Sequence, residues 1–140
     1  MKKYIKYIVL LVILIVIFVL GFFIYKNMFA DVVNSRYKDL ENYKLTNDEK
    51  NLVKDKINEL ENIKSVKIYK DSRIIKIVVN LEEDIDFESI KTKANEVITS
   101  FSEENLSYYD LEFFIESASE ESEVYPQIGY KFKTNSEFAW

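Results

Sequence analysis

Residues 7–25 read YIVLLVILIVIFVLGFFIY, and this stretch decides how the rest of the chain is organised. Lys6 and Lys26 bracket nineteen residues that carry no charge. At about 1.5 Å of rise per helical residue, such a run reaches roughly 30 Å, the hydrocarbon thickness of a bilayer. From Ile8 to Ile24 only Gly21 departs from Leu, Ile, Val and Phe. At roughly −0.3 to −0.6 kcal/mol per residue, transfer into lipid is favoured by on the order of 5 to 10 kcal/mol. The stretch predicts a single membrane-spanning helix, with the lipid bilayer as the chain's first partner. A cleaved signal peptide would have a shorter apolar core and a small-x-small site, whereas the best site here sets the large Met28 and Ala30 at its two positions. A soluble core helix is excluded by size, because a chain of 140 residues with 31% charged content cannot enclose an apolar rod of this length.

Lys2, Lys3 and Lys6 crowd the N-terminal flank, residues 1–6, while Lys26 alone follows closely on the other side. Cations accumulate on the cytoplasmic side of a span, so the N-terminus is expected in the cytoplasm and the remainder of the chain outside the cytoplasmic membrane. Arg36, Lys38 and Lys44 lie within the range over which such charges still count and oppose this orientation. Tyr4 and Tyr7 on one side and Tyr25 on the other suit the two interfacial belts, beside the lysines at 2, 3, 6 and 26.

Residues 27–140 carry a net charge of −9, the wrong sign for a phosphate-backbone partner, so no nucleic acid is expected. Their number suits one small domain with one core. The chain has no cysteine, which removes disulfides, thiolate chemistry and a lipid anchor on sulfur. An exported domain without disulfides points towards a bacterial source. With no histidine either, Ser-His and Cys-His nucleophile systems are impossible, and no cofactor is implied. Carboxylate pairs among Glu82, Glu83, Asp84 and Asp86, or Glu120, Glu121 and Glu123, remain as candidates for glycan hydrolysis or for calcium. They lack the spacing of a calcium loop, and acidic runs are more often solvated surface. The expectation is a domain that is not an enzyme. An envelope ligand-binding, calcium-binding or carboxylate-dependent glycan-acting domain is the alternative.

Residues 26–44, with Val33, Tyr37 and Leu40 at helical spacing and no Gly or Pro, predict a stalk that prolongs the membrane helix. Thr46 and Glu49 form a capping box, and Val53, Ile57 and Leu60 give the following helix one apolar stripe. Val66 and Ile68, a turn at Asp71-Ser72-Arg73, and Ile75, Ile77, Val79 and Leu81 predict a hairpin, with Ile74 and Val78 left on its other face. Asp86 caps a second helix bearing Phe87, Ile90, Ala94, Val97, Ile98 and Phe101, with Ile85 and Ile90 as a hydrophobic staple. Tyr109, Leu111, Phe113 and Ile115 mark a third strand. Residues 127–133 give a fourth, with Ile128, Tyr130 and Phe132 expected on its core face. The tail, residues 134–140, has no regular pattern, so Phe138 and Trp140 are expected free and available to a protein partner.

The fold class is therefore α+β: one N-terminal transmembrane helix followed by a two-layer αββαβ(β) sandwich over residues 45–133. The αββαβ order over residues 45–116 resembles the ring-building-motif domains of bacterial secretion and sporulation assemblies, and is similar in outline to alkaline-shock-family and YhcN/YlaJ-type sporulation domains. The resemblance implies a membrane-tethered module that packs beside copies of itself or a partner. It rests on element order alone. The chain departs from the YhcN/YlaJ type in lacking a lipid-anchoring cysteine, and its C-terminal tail lies outside the shared pattern. One further feature bears on self-association. Residues 31–76 hold eleven basic and nine acidic side chains, whereas residues 77–130 hold two and fourteen. Such halves could dock head to tail between copies, or the acidic excess could serve only solubility.

Overall fold

A computed structural model describes residues 2–37 and 39–140, with side chains described for residues 4–27 and from Asp39 onward. The chain divides into two compact units that meet at Asp39 and Leu40. The first is the helix α1 (Lys2–Tyr37), and within it Tyr4–Asn27 is long and apolar enough to cross a membrane. The apolar side chains from Tyr4 to Tyr25 are exposed. Helix continues past this span to Tyr37. Lys2, Lys3 and residues 28–38 lie outside the residues whose side chains are described.

The second unit begins with the turn at Leu40–Leu45, followed by α2 (Asn47–Ile57), β1 (Ile63–Asp71), β2 (Ile74–Leu81), α3 (Phe87–Ile98), α4 (Glu103–Tyr108), β3 (Asp110–Ser117) and β4 (Gln127–Lys131). Thr46 caps α2 through the expected box: its hydroxyl accepts from the Glu49 amide, and the Glu49 carboxylate accepts from the Thr46 amide. Asp86 caps α3 by accepting from the Ser89 amide. The β1–β2 hairpin turns through Ser72 and Arg73, with Ser72 left-handed at φ 56°.

The strands form one sheet in the order β1-β2-β3-β4. The outer pairs are antiparallel, and β2 and β3 run parallel. A parallel return needs a long crossover, which α3 and α4 supply. Period-two alternation then sends Ile75, Ile77, Val79 and Leu81 of β2, and Leu111, Phe113 and Ile115 of β3, to one face. There they bury against Val53 and Ile57 of α2 and Ile90, Ala94 and Val97 of α3. This is the two-layer α+β sandwich that the pattern predicts.

Three expectations are corrected. The domain starts at Leu40 and not at residue 45, because Leu40, Tyr43 and Leu45 pack against the core and the Tyr43 ring stacks on Tyr108 with centroids 4.0 Å apart. On β4, Ile128, Tyr130 and Phe132 are exposed, and the face turned to the helices carries Gly129 and Lys131. The tail causes this inversion. Ala139 pairs antiparallel with Tyr130, and Trp140 lies over Gly129 in the space that a core side chain of β4 would fill. Phe138 and Trp140 are consequently not a free contact segment. Phe138 is 7% exposed beside Phe113, and its amide donates to the Asn95 Oδ1 of α3. Trp140 packs edge-on to Phe87 and Phe113.

Candidate functional site

Within the second unit α2 and α3 cover one face of the sheet, and among that unit's described residues no helix covers the opposite, bare face. Register places its side chains in rows across the strands. One row runs Tyr69, Lys76, Glu112, Tyr130, and the next runs Lys67, Val78, Phe114, Ile128. Beyond them lie Ser65, Asn80 and Glu116 on one side and Asp71, Ile74 and Asp110 on the other. Val78, Phe114 and Ile128 thus form an apolar strip crossing three strands. Tyr69 and Tyr130, 45% and 41% exposed, stand at the two ends of the row beside it. Ile128 is exposed, while Val78 and Phe114 are half-buried.

Lys76 is paired with two carboxylates in this face. Lys76 Nζ lies 3.2 Å from Asp71 and 3.8 Å from Glu112, and these carboxylates hold its ammonium above the usual lysine range. The edges of the sheet differ. The C-terminal tail covers part of β4 through the Tyr130–Ala139 pair, while β1 pairs on one side only and carries exposed Lys64, Lys67 and Lys70. Lysines on an open edge discourage pairing with a like strand.

The acidic candidates cluster at one end of the molecule, because β2 and β3 run parallel and both deliver their following loops there. Glu82, Glu83, Asp84, Asp86, Glu120, Glu121 and Glu123 are all exposed. Among the described residues, no group of three or more Asp or Glu side chains is placed to hold a metal ion. Tyr125 fixes the first of these loops by donating from its hydroxyl to the Ile85 carbonyl at 2.7 Å. Burial, with Asp84 and Asp86 nearby, pushes its phenol up to about 12. A depression of about 180 Å³ at the same end is lined by Lys64, Asn80, Glu116 and Ser117.

A larger depression, about 400 Å³, lies between the Asn42–Lys44 turn, α2 and α4. Its polar floor is Glu49, and the carboxylate is fully engaged by the Thr46 and Ser102 amides and by Asn105 Nδ2 at 2.8 Å. Burial alone would raise the Glu49 carboxyl, but these hydrogen bonds outweigh it and hold the group below its usual range. The arrangement joins α2 to α4 and commits the Glu49 carboxylate to structure. Sequence reasoning missed Glu49 as a buried hub and missed the bare sheet face. Off-phase Ile74 and Val78 were the one sign of the latter.

Comparison with protein-family models, with characterised proteins and with solved structures gives no match for this chain. The class that the fold defines is a two-layer α+β domain carried behind a helix capable of spanning a membrane.

Proposed function

We propose that the chain is a single-pass protein of the cytoplasmic membrane, N-terminus inside, whose domain stands outside the cytoplasm and works by protein contact rather than catalysis. The observation that carries this reading is the bare sheet face, with its strip of Val78, Phe114 and Ile128 beside Tyr69 and Tyr130. Interfaces are centred on such apolar and aromatic groups within a polar rim. The uncharged span and its basic N-terminal flank support the anchoring and its direction. The resemblance to ring-building-motif domains agrees with a contact role. It adds no site residue.

The test is photocrosslinking in membranes of the source cell. A photoreactive amino acid at Phe114 is expected to yield a crosslinked protein band that Val78→Asp removes, while the same probe at Lys54 on the helical side yields none. Equal labelling from both positions, or none from Phe114, would overturn the contact role. Thiol labelling of a cysteine placed at Ser136 in intact spheroplasts tests the orientation, and protection of that thiol would reverse it.

A further inference from the structure

We infer that the bare sheet face is a self-complementary surface whose partner is a second copy of this chain, stacked face to face about a two-fold axis that runs along the strands between β2 and β3. The inference rests on the contact role proposed for this face and names its occupant. A rotation about that axis lays each residue over the one that is its register partner across the β2–β3 seam. Lys76 then meets Glu112 of the second copy, Val78 meets Phe114, Tyr69 meets Tyr130, and the stem of Lys67 covers Ile128. At the centre apolar Val78 stacks on Phe114 and the cation of one copy faces the anion of the other, while at the rim Ile74 meets Asp110. An axis across the strands, centred on the apolar strip, would instead set Glu112 against Glu116, like charge on like.

A second observation selects the same axis. The chain enters the domain at Leu40–Leu45, where Lys70 Nζ donates to the Leu40 carbonyl and the Tyr109 hydroxyl to that of Tyr43. This is the end of the sheet where β1 finishes and β3 begins. Rotation along the strands keeps both tethers at one end, as two copies in one bilayer require, whereas rotation across the strands puts them at opposite ends. At about 4.8 Å between strands and about 6.7 Å between rows, the face covers roughly 450 Å² per copy. Two such faces reach about 900 Å², near the lower limit for a specific interface of about 1,000 Å². The pair is therefore weak between free domains and is sustained by confinement to a common membrane.

The test uses the full chain in lipid vesicles and exploits the absence of native cysteine. Tyr69→Cys and Tyr130→Cys proteins are mixed and treated with a bis-maleimide of about 8 Å reach. Like positions stand some 14 Å further apart laterally than unlike ones, so the mixed dimer should exceed either homotypic dimer on the order of tenfold. Lys76→Glu should abolish it, and Lys76→Glu combined with Glu112→Lys should restore it. Trp140 fluorescence verifies folding of each variant. Dominant homotypic products, indifference to Lys76→Glu, or no product would overturn the inference. If Phe114 still crosslinks in native membranes to a protein of another mass, the second copy is refuted and the contact role stands. Silence in both assays refutes both.

Discussion

The indole of Trp140 lies so close to Gly129 that a Cβ at position 129 would sit 2.9 Å from two of its ring carbons. Gly129 does not have a positive φ, so the residue is needed for space and not for backbone freedom. Gly129→Ala is expected to destabilise the domain by about 1 to 3 kcal/mol through overpacking. In a Trp140→Ala background the same substitution should cost almost nothing, since the obstructing ring is gone. Thermal unfolding followed by circular dichroism across the double-mutant cycle checks the coupling. Removal of residues 135–140 takes away Phe138, Trp140 and the pairing of Ala139, and it should prevent cooperative folding.

Glu49 is 8% exposed and accepts from Thr46, Ser102 and Asn105, so truncation leaves several buried donors without a partner. Glu49→Gln should cost on the order of 2 to 3 kcal/mol at neutral pH, because the new amide presents donors to donors. The sign of the pH effect follows from its lowered carboxyl. A group held below its unfolded value of 4.5 adds stability that is complete above that value and lost as pH falls through the folded one. Urea titrations should show the difference between Glu49→Gln and the parent narrowing below about pH 4.5. A gap that stays constant into acid would show that the carboxylate charge contributes nothing.

How much of this could be read beforehand depended on distance along the chain. The Thr46–Glu49 box, the Asp86 cap and the alternation in β2 and β3 are local patterns, and each falls where the sequence placed it. The face of β4 is not local. Ile128, Tyr130 and Phe132 carry the apolar phase, yet the packing of Trp140 over Gly129 turns that phase outward. Helix α4 was missed because Glu103, Glu104 and Asn105 after the Ser102 cap present no apolar stripe in a helix of six residues. The bare face draws Val78, Phe114 and Ile128 from three strands, and only the register of a parallel pair and an antiparallel one brings them together.

Lys131 has the opposite character to Glu49. It is 4% exposed on the helical face of β4, and its Nζ donates to the Phe132 carbonyl at a long 3.4 Å. Burial lowers its ammonium below the usual lysine range, with Asp110 opposing weakly. Lys131→Met keeps the stem's packing and removes the desolvated charge, so it should stabilise the domain by about 1 kcal/mol. A lowered lysine penalises the folded state below its folded value, and the penalty fades as pH rises towards 10.5. The advantage of Met should shrink accordingly in denaturation series at alkaline pH.

Tyr43 lies in the turn that opens the second unit, and three neighbours hold it. Its carbonyl accepts from the Tyr109 hydroxyl at 2.7 Å and from Lys70 Nζ at 3.4 Å, while its ring stacks on Tyr108 and meets Tyr109 edge-on. Of these neighbours only Tyr109 belongs to the buried core around Ile77 and Phe113, and Tyr43 lies at its margin, so Tyr43→Ala should release the Leu40–Leu45 turn without unfolding the sheet. Hydrogen exchange should accelerate at residues 40–45 on the order of tenfold or more, as expected for local opening, and stay unchanged in β2 and β3. Lys70→Met keeps the ring stack and removes one donor, so its effect should be the smaller. If the two copies pair with both tethers at one end, the freed turn should also weaken bis-maleimide dimer formation in vesicles, because pairing must then restrict the conformational freedom that the opened turn gains. Unchanged crosslinking with accelerated exchange would show that Tyr43 secures the turn alone.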